Sequence, residues 1–284
     1  MDTIFLNGKW VPQERAVVSV FDRGFMFGDS VYEVLAVTNG KICALRAHVS
    51  RLKASLDAVG INLNESIDDI SDLLIEAVRR SEKLTGLLYL QITRGEQFPR
   101  DHTYPLDLHP TILITFSERK DLGWAEVKPI KVVTKSDFRW GRGDIKVTSL
   151  IANVILRNSA IREGCDDAIL IRDDIVTEAT AANVFLVKHG EIVTPKKNQF
   201  FLHGITRDIV LELCKGLDLC AVERDVRRAE LYEADEIWLS STGKELCPVL
   251  SIDGDPVGNG FVRENSLWKK LYSAYQLKIK NDIG

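Results

Sequence analysis

Residues 31–60 read VYEVLAVTNGKICALRAHVSRLKASLDAVG, and the fold is decided by how this stretch divides. Val31 to Val37 is rich in β-branched and apolar residues, Asn39-Gly40 tolerates the positive φ angles of a tight hairpin turn, and Lys41 to Leu45 returns as a second strand. Val49, Leu52, Leu56 and Val59 then recur at three, four and three residues, which is one helical face, and Gly60 supplies a stop. Upstream, Thr3 to Leu6, Asn7-Gly8 and Lys9 to Val11 form an earlier hairpin by the same turn chemistry. Downstream, Ile67, Ile70, Leu74, Ala77 and Val78 repeat the helical spacing, and Leu87 to Thr93 and Thr111 to Phe116 read as strands. Strands surrounding two helices make this first part α+β.

The charged stretch Ser117 to Gly123 has no apolar period of its own and divides the chain into an N-terminal α+β domain (1–117), a connector (118–123) and a C-terminal α/β domain (124–284). In the second domain, strands are expected at Val127 to Thr134, Asp167 to Ile171, Asn183 to Val187 and Glu236 to Ser240. Helices are expected at Ser149 to Glu163, Ile205 to Lys215 and Asn265 to about Leu277. With 284 residues, 45% of them hydrophobic and 27% charged, the chain has the composition of a soluble globular protein that buries sizeable cores.

A net charge of −4 gives no electrostatic reason to expect nucleic acid or an anionic membrane as partner. The opening MDTIFLNGKW lacks a basic segment followed by an apolar one, and no apolar run approaches the ~20 residues of a membrane span, so a cytoplasmic address is expected. Cys43, Cys165, Cys214, Cys220 and Cys247 are scattered without a CxxC pair, and His48, His102, His109, His189 and His203 lack an HExxH arrangement, so neither a disulfide framework nor a metal site is indicated.

Several residues carry possible chemistry, each with a plainer alternative. Lys146, flanked by Ile145 and Val147, is either a solvated surface lysine or an amine whose ammonium form is poorly hydrated and which can attack a carbonyl. Glu178, in IVTEATAANVF, stands between two strand-like runs as a turn carboxylate or a site group. Gly204-Ile205-Thr206 opens a helix, where free N–H groups either start the helix or hold an anion. Ser240-Ser241-Thr242-Gly243 is a hydroxyl-rich turn at a strand's carboxyl end, where α/β sites open. Arg100 and His102 share a proline-containing loop and could both face a carboxylate. Tyr32 is a core aromatic or a phenol donor, and Arg51 a surface charge of the first helix or an anion ligand.

Taken together, FDRGFMFGDSVYEV, HVSRL, TRGEQFPRDH, GDIKVTSL, GCDDAILIRDDIVTEATAANVF, LHGITRD and the late STG turn resemble, in order and spacing, the fold-type IV pyridoxal-phosphate enzymes over almost the whole chain. Within them the pattern is most similar to the bacterial D-amino-acid aminotransferase branch. The resemblance implies two domains with pyridoxal 5′-phosphate at their interface, Lys146 as the Schiff-base lysine and Glu178 on the pyridine nitrogen. It assigns the phosphate to Arg51, Ile205, Thr206 and Thr242, and the ring face to Leu202. Tyr32, Arg100 and His102 correspond to a trap for the substrate α-carboxylate, the Arg-x-His loop coming from the partner subunit of a homodimer.

The activity implied is ping-pong transamination between D-amino acids, such as D-alanine and D-glutamate, and 2-oxo acids. Other activities of the same group are 4-amino-4-deoxychorismate lyase and transamination of branched-chain L-amino acids or (R)-amines, and a non-catalytic pyridoxal-phosphate-binding protein is a reading of another class. Two departures bear on substrate range: the turn after Glu178 is Ala179-Thr180-Ala181-Ala182 where the D-specific pattern is serine-rich, and one residue is inserted between Gly95 and Arg100.

Overall fold

The computed structural model describes residues 3–120, 125–259 and 266–281. Two compact units emerge, one comprising residues 1–121, 145–149 and 279–284, the other 122–144 and 150–278.

The first unit is built on an antiparallel six-stranded sheet in the order Lys9–Val11, Ile4–Leu6, Ile112–Glu118, Gly86–Thr93, Ser30–Thr38, Lys41–Ile42. Both Asn-Gly turns form as expected, with positive φ at Asn7 (47°), Gly8 (81°), Asn39 (52°) and Gly40 (72°). The return strand of the second hairpin is shorter than the sequence suggested. Ala44 adopts φ 52°, the chain swings away, and Leu45 becomes the first residue of the helix Leu45–Val59 instead of the last of a strand. That helix ends at Gly60, whose φ of 65° accepts the left-handed cap. Ser66 and Asp69 cap each other reciprocally at the start of the helix Ile67–Ser81, and Arg79 and Arg80 oppose the dipole at its end. Val49, Leu52, Leu56, Ile70, Leu74 and Val78 pack on Leu35, Leu88 and Leu90 of the sheet.

Ile145 and Val147 join this same core. Val31 pairs with Val147 in an antiparallel bridge, and the amides of Tyr32 and Thr148 donate to the carbonyls of Lys146 and Ser30, both at 3.0 Å. Lys146 therefore packs with the N-terminal sheet, whereas its place in the sequence had put it in the second domain.

The second unit carries a mixed sheet in the order Ala221–Glu223, Glu191–Thr194, Asn183–Lys188, Glu236–Ser241, Glu245–Ile252, Ile130–Ser136, Asp167–Arg172, Ile175–Ala179, with Asp255–Pro256 paired to Glu245–Ile252. Its parallel pairs are the first two strands and the trio Glu245–Ile252, Ile130–Ser136, Asp167–Arg172. The helix Ile151–Arg162 lies in the long connection that a parallel pair requires, and packs through Leu156 and Ala160 on Ala168 and Leu170. Helices Ile205–Gly216 and Leu267–Asn281 follow later in the chain; Asn265, expected as the start of the last helix, lies outside the described residues, as do 121–123 of the expected connector.

Glu178 belongs to the strand Ile175–Ala179, not to a turn between strands. The sequence understated this unit because Ile175–Ala179, Glu191–Thr194 and Glu245–Ile252 are short or nearly buried throughout, and so lack the alternation that marks a half-exposed strand. No described helix is long and apolar enough to cross a membrane.

Candidate functional site

In the first unit the chemistry gathers on the strand Ser30–Thr38. Lys146 is half-buried, its Nζ lies 4.1 Å from the centroid of the Tyr32 ring, and Ser55 Oγ accepts from its backbone N–H at 3.4 Å. Tyr32 in turn stacks against Tyr89 at 5.8 Å. One residue along the strand, on the opposite face, Glu33 is buried. It accepts from Arg51 Nε and Nη2, both at 2.7 Å, and contacts His48 Nδ1 at 2.8 Å. Burial alone would push the Glu33 carboxyl up, but these hydrogen bonds and charges outweigh it and hold the group at about 2. His48 moves down because its imidazolium is desolvated and because Arg51 and Lys146 repel it, against the pull of Glu33. Arg51 is thus fixed by a two-toothed ion pair on its way to any further ligand.

Arg100 and His102 lie exposed on a loop of this unit and share an aromatic floor. The Arg100 guanidinium carbon stands 4.2 Å from the Phe27 ring centroid, and the His102 ring is 5.5 Å from it.

In the second unit Glu178 is 7% exposed and receives a short hydrogen bond from Arg139 Nη1. Arg139 also donates to Asp137, from Nε and from Nη2 at 2.9 Å each, and to the Phe200 carbonyl at 3.3 Å, and Asp137 accepts from Thr177 at 2.9 Å. Asp137 is thereby held at about 2 despite burial, while Glu178, buried with a smaller share of the guanidinium, is pushed up to about 7. The backbone N–H of Leu202 also favours the Glu178 carboxylate, and Asn183 Nδ2 donates to the Leu202 carbonyl at 2.8 Å, so both backbone groups of Leu202 are tied beside the strand. A buried carboxyl with this deficit of positive charge suits a cationic N–H partner.

The helix Ile205–Gly216 begins at Gly204 without a side-chain cap, leaving the first N–H groups directed outward. Gly204 is required by closeness: a Cβ there would stand 2.0 Å from Asn183 Oδ1. Asn183 is the register partner of Ser240, whose hydroxyl is buried and has no hydrogen-bond partner among the described residues. Thr206 is buried at the same helix start. Uncapped N–H groups, a buried threonine and an orphaned serine hydroxyl fit an anion such as the phosphate of pyridoxal phosphate. The neighbouring turn, with Thr242, is anchored by Lys244, whose Nζ lies 2.6 Å from the fully buried Asp167. The hydroxyl of Thr180 is bonded to that same Asp167, so the alanine-rich turn directs its one hydroxyl inward to the protein.

The assigned residues thus fall into separate groups: Tyr32 on the first sheet with Lys146 beside it and Arg51 on the helix Leu45–Val59, Arg100 and His102 on Phe27, and Glu178, Leu202, Ile205, Thr206 and Thr242 in the second unit. Sequence reasoning missed Glu33 and His48 and the pair Asp137 and Arg139; Ser240 was flagged only as part of a hydroxyl-rich turn. Glu33 was open to discovery as a charge at an inward position of an apolar strand. Arg139 finds Glu178 across 39 residues, a separation no local pattern reveals.

The sequence pattern of the amino-transferase class IV family matches residues 30–252. The chain is 37% identical over 282 residues to a D-alanine aminotransferase of Bacillus licheniformis, covering 99% of this chain and 98% of that protein. A D-alanine aminotransferase of Listeria monocytogenes is 35% identical, with 99% and 97% covered. The Escherichia coli branched-chain amino acid aminotransferase superposes with a TM-score of 0.90 over 98% of this chain and 94% of that one, at 24% identity, a likeness of fold. With the family pattern spanning both sheets and relatives matching from end to end, the chain belongs to the class IV aminotransferases, enzymes of fold-type IV.

Proposed function

We propose that this aminotransferase exchanges amino groups between D-amino acids, D-alanine and D-glutamate among them, and 2-oxo acids by a ping-pong course, with pyridoxal 5′-phosphate as cofactor and a homodimer as the working form. The match to D-alanine aminotransferases over 99% of the chain carries the substrate class. The cofactor rests on the uncapped helix start and the orphaned Ser240 hydroxyl, which together call for a buried anion.

When bound, pyridoxal phosphate supplies the electron sink that lets a Cα–H bond break heterolytically. The chain's residues do the rest. Lys146 would hold the cofactor, and its Nζ would be the group that takes the proton from the substrate Cα. Glu178 would accept a hydrogen bond from the pyridine nitrogen and so keep it protonated. Ile205 and Thr206, Thr242 and Arg51 would hold the phosphate, and Leu202 would pack on the ring. Tyr32, with Arg100 and His102 of the partner subunit, binds the α-carboxylate. Fixing that carboxylate on one side determines which enantiomer presents its Cα–H bond to Lys146.

D-alanine and L-alanine offered separately with 2-oxoglutarate test the reading. Pyruvate is expected from the D enantiomer, and pyruvate from L-alanine alone overturns the D assignment. Borohydride reduction followed by peptide mapping should place the cofactor on Lys146; a chain that takes up no pyridoxal phosphate overturns the cofactor assignment.

A further inference from the structure

The side chains of residues 98–104 face solvent, yet the backbone of this loop is gathered from beneath by one buried arginine. Arg23 is 4% exposed. Its Nη1 donates to the carbonyl of Asp101 at 2.7 Å, to that of Thr103 at 3.4 Å and to Gln97 Oε1 at 2.5 Å. Its Nη2 donates to the carbonyl of His102 at 3.2 Å. Three consecutive carbonyls therefore converge on one guanidinium, and Gln97 Nε2 closes the ring by donating to Thr103 O at 3.0 Å.

Pairing of charge alone does not explain Arg23. Its Nε meets Asp29 at 2.9 Å, but Asp29 already accepts from Arg94 at 2.8 and 3.0 Å. A second buried cation is redundant for that carboxylate, and the donors left over all go to the loop. Four residues on, in the short helix Arg23–Phe27, the ring of Phe27 lies 4.7 Å from the Arg23 guanidinium carbon and carries Arg100 and His102 on its surface.

We propose that Arg23 is a positioning residue: it sets the backbone that presents Arg100 and His102 side by side, and so sets affinity for the substrate carboxylate without touching substrate. The proposal rests on the reading of Arg100 and His102 as the carboxylate trap. Only a planar fork with five donors reaches all these carbonyls while holding Asp29; a lysine keeps the charge and loses the convergence.

The holoenzyme variant R23K separates positioning from general support. Its KM for D-alanine and for 2-oxoglutarate should rise about tenfold or more while kcat stays within about threefold, because a displaced trap costs binding of the carboxylate above all. Bound-cofactor absorbance, and the rate at which the cofactor reacts with hydroxylamine, which has no carboxylate, should match the parent enzyme. In an R100A background R23K should add little to KM, since both changes act on one group of contacts. An unchanged KM in R23K, or loss of cofactor and of hydroxylamine reactivity, overturns the proposal. If R100A itself leaves the D-alanine KM unchanged, the trap reading fails and the proposal with it. Should R23K not fold, F27L removes the floor under Arg100 and His102 and must raise KM in the same way; an unchanged KM there overturns it equally.

Discussion

Glu33 and Glu178 are both buried strand carboxyls, and their neighbours send them in opposite directions. Glu33 takes two hydrogen bonds from the Arg51 guanidinium beside its contact with His48 and is held at about 2; Glu178 competes with Asp137 for Arg139 and is pushed up to about 7. Folding therefore strengthens proton binding at Glu178 relative to its ordinary 4.5, so the stability it contributes is complete below pH 4.5 and is lost as pH rises through 7. Glu33 has the reverse sign: its contribution is present above 4.5 and is lost as pH falls through 2. Urea midpoints of the cofactor-free chain should accordingly decline more steeply between pH 4.5 and 7 than those of E178Q. Parallel profiles for the two proteins would show that Glu178 does not titrate in that window. Lys146 is the other decisive residue at this scale. K146A should still accumulate pyridoxal phosphate but lose about 10² to 10⁴ in kcat, the range of a positioned general base. Retention of most of kcat would assign the Cα proton to another group.

Among the elements, the helix Ile205–Gly216 has a backbone end suited to an anion. Its N-terminal amides lack a side-chain cap, and the adjacent Ser240 hydroxyl is buried with no partner among the described residues. If that hydroxyl completes a phosphate site, S240A should weaken pyridoxal phosphate binding by about 1 kcal/mol, the net worth of one hydrogen bond. Affinity for pyridoxal, which lacks the phosphate, should not move. Titration of the cofactor-free chain with both compounds decides it, and equal losses for the two would remove Ser240 from the anion site. Elements of this kind differ in how visible they are in a sequence. The two hairpins were legible because Asn-Gly dictates backbone geometry locally, and the helices of the first unit because their apolar spacing is one-sided. The strand Ile175–Ala179 was not, since four of its five residues are buried and alternation disappears. The same limit governed the site: the uncapped helix start was legible in Gly204-Ile205-Thr206, whereas the Asp137, Arg139 and Glu178 group depends on distant segments meeting. The role of Arg100 and His102 came from family resemblance; no spacing rule distinguishes them from a solvated loop.

For the whole molecule, a domain boundary drawn from composition misses a chain that goes back. Residues 145–149 rejoin the first unit, so Lys146 packs with the N-terminal sheet although Glu178 and the uncapped helix start at Gly204 belong to the second unit. The net charge of −4 gives an anionic cofactor and substrate no general attraction, so on the proposed reading recognition falls to placed cations, Arg51 and Arg100 among them. If Arg100 and His102 serve the partner's site, the unit of function is a pair of chains, and genetics can separate the contributions. K146A lacks the base and R100A lacks the trap, so each homodimer should turn over D-alanine poorly. In a mixed dimer, one site draws Lys146 from the R100A chain and Arg100 from the K146A chain, and is intact; the other is doubly impaired. Random pairing at equal amounts makes half the dimers mixed, each with one good site of two, which restores about a quarter of the parent activity. A loop that served its own chain's site would leave no intact pair in any dimer. Refolding the two variants together and assaying D-alanine turnover distinguishes these cases: recovery near a quarter supports the shared site, and activity no higher than the average of the two separate variants eliminates it.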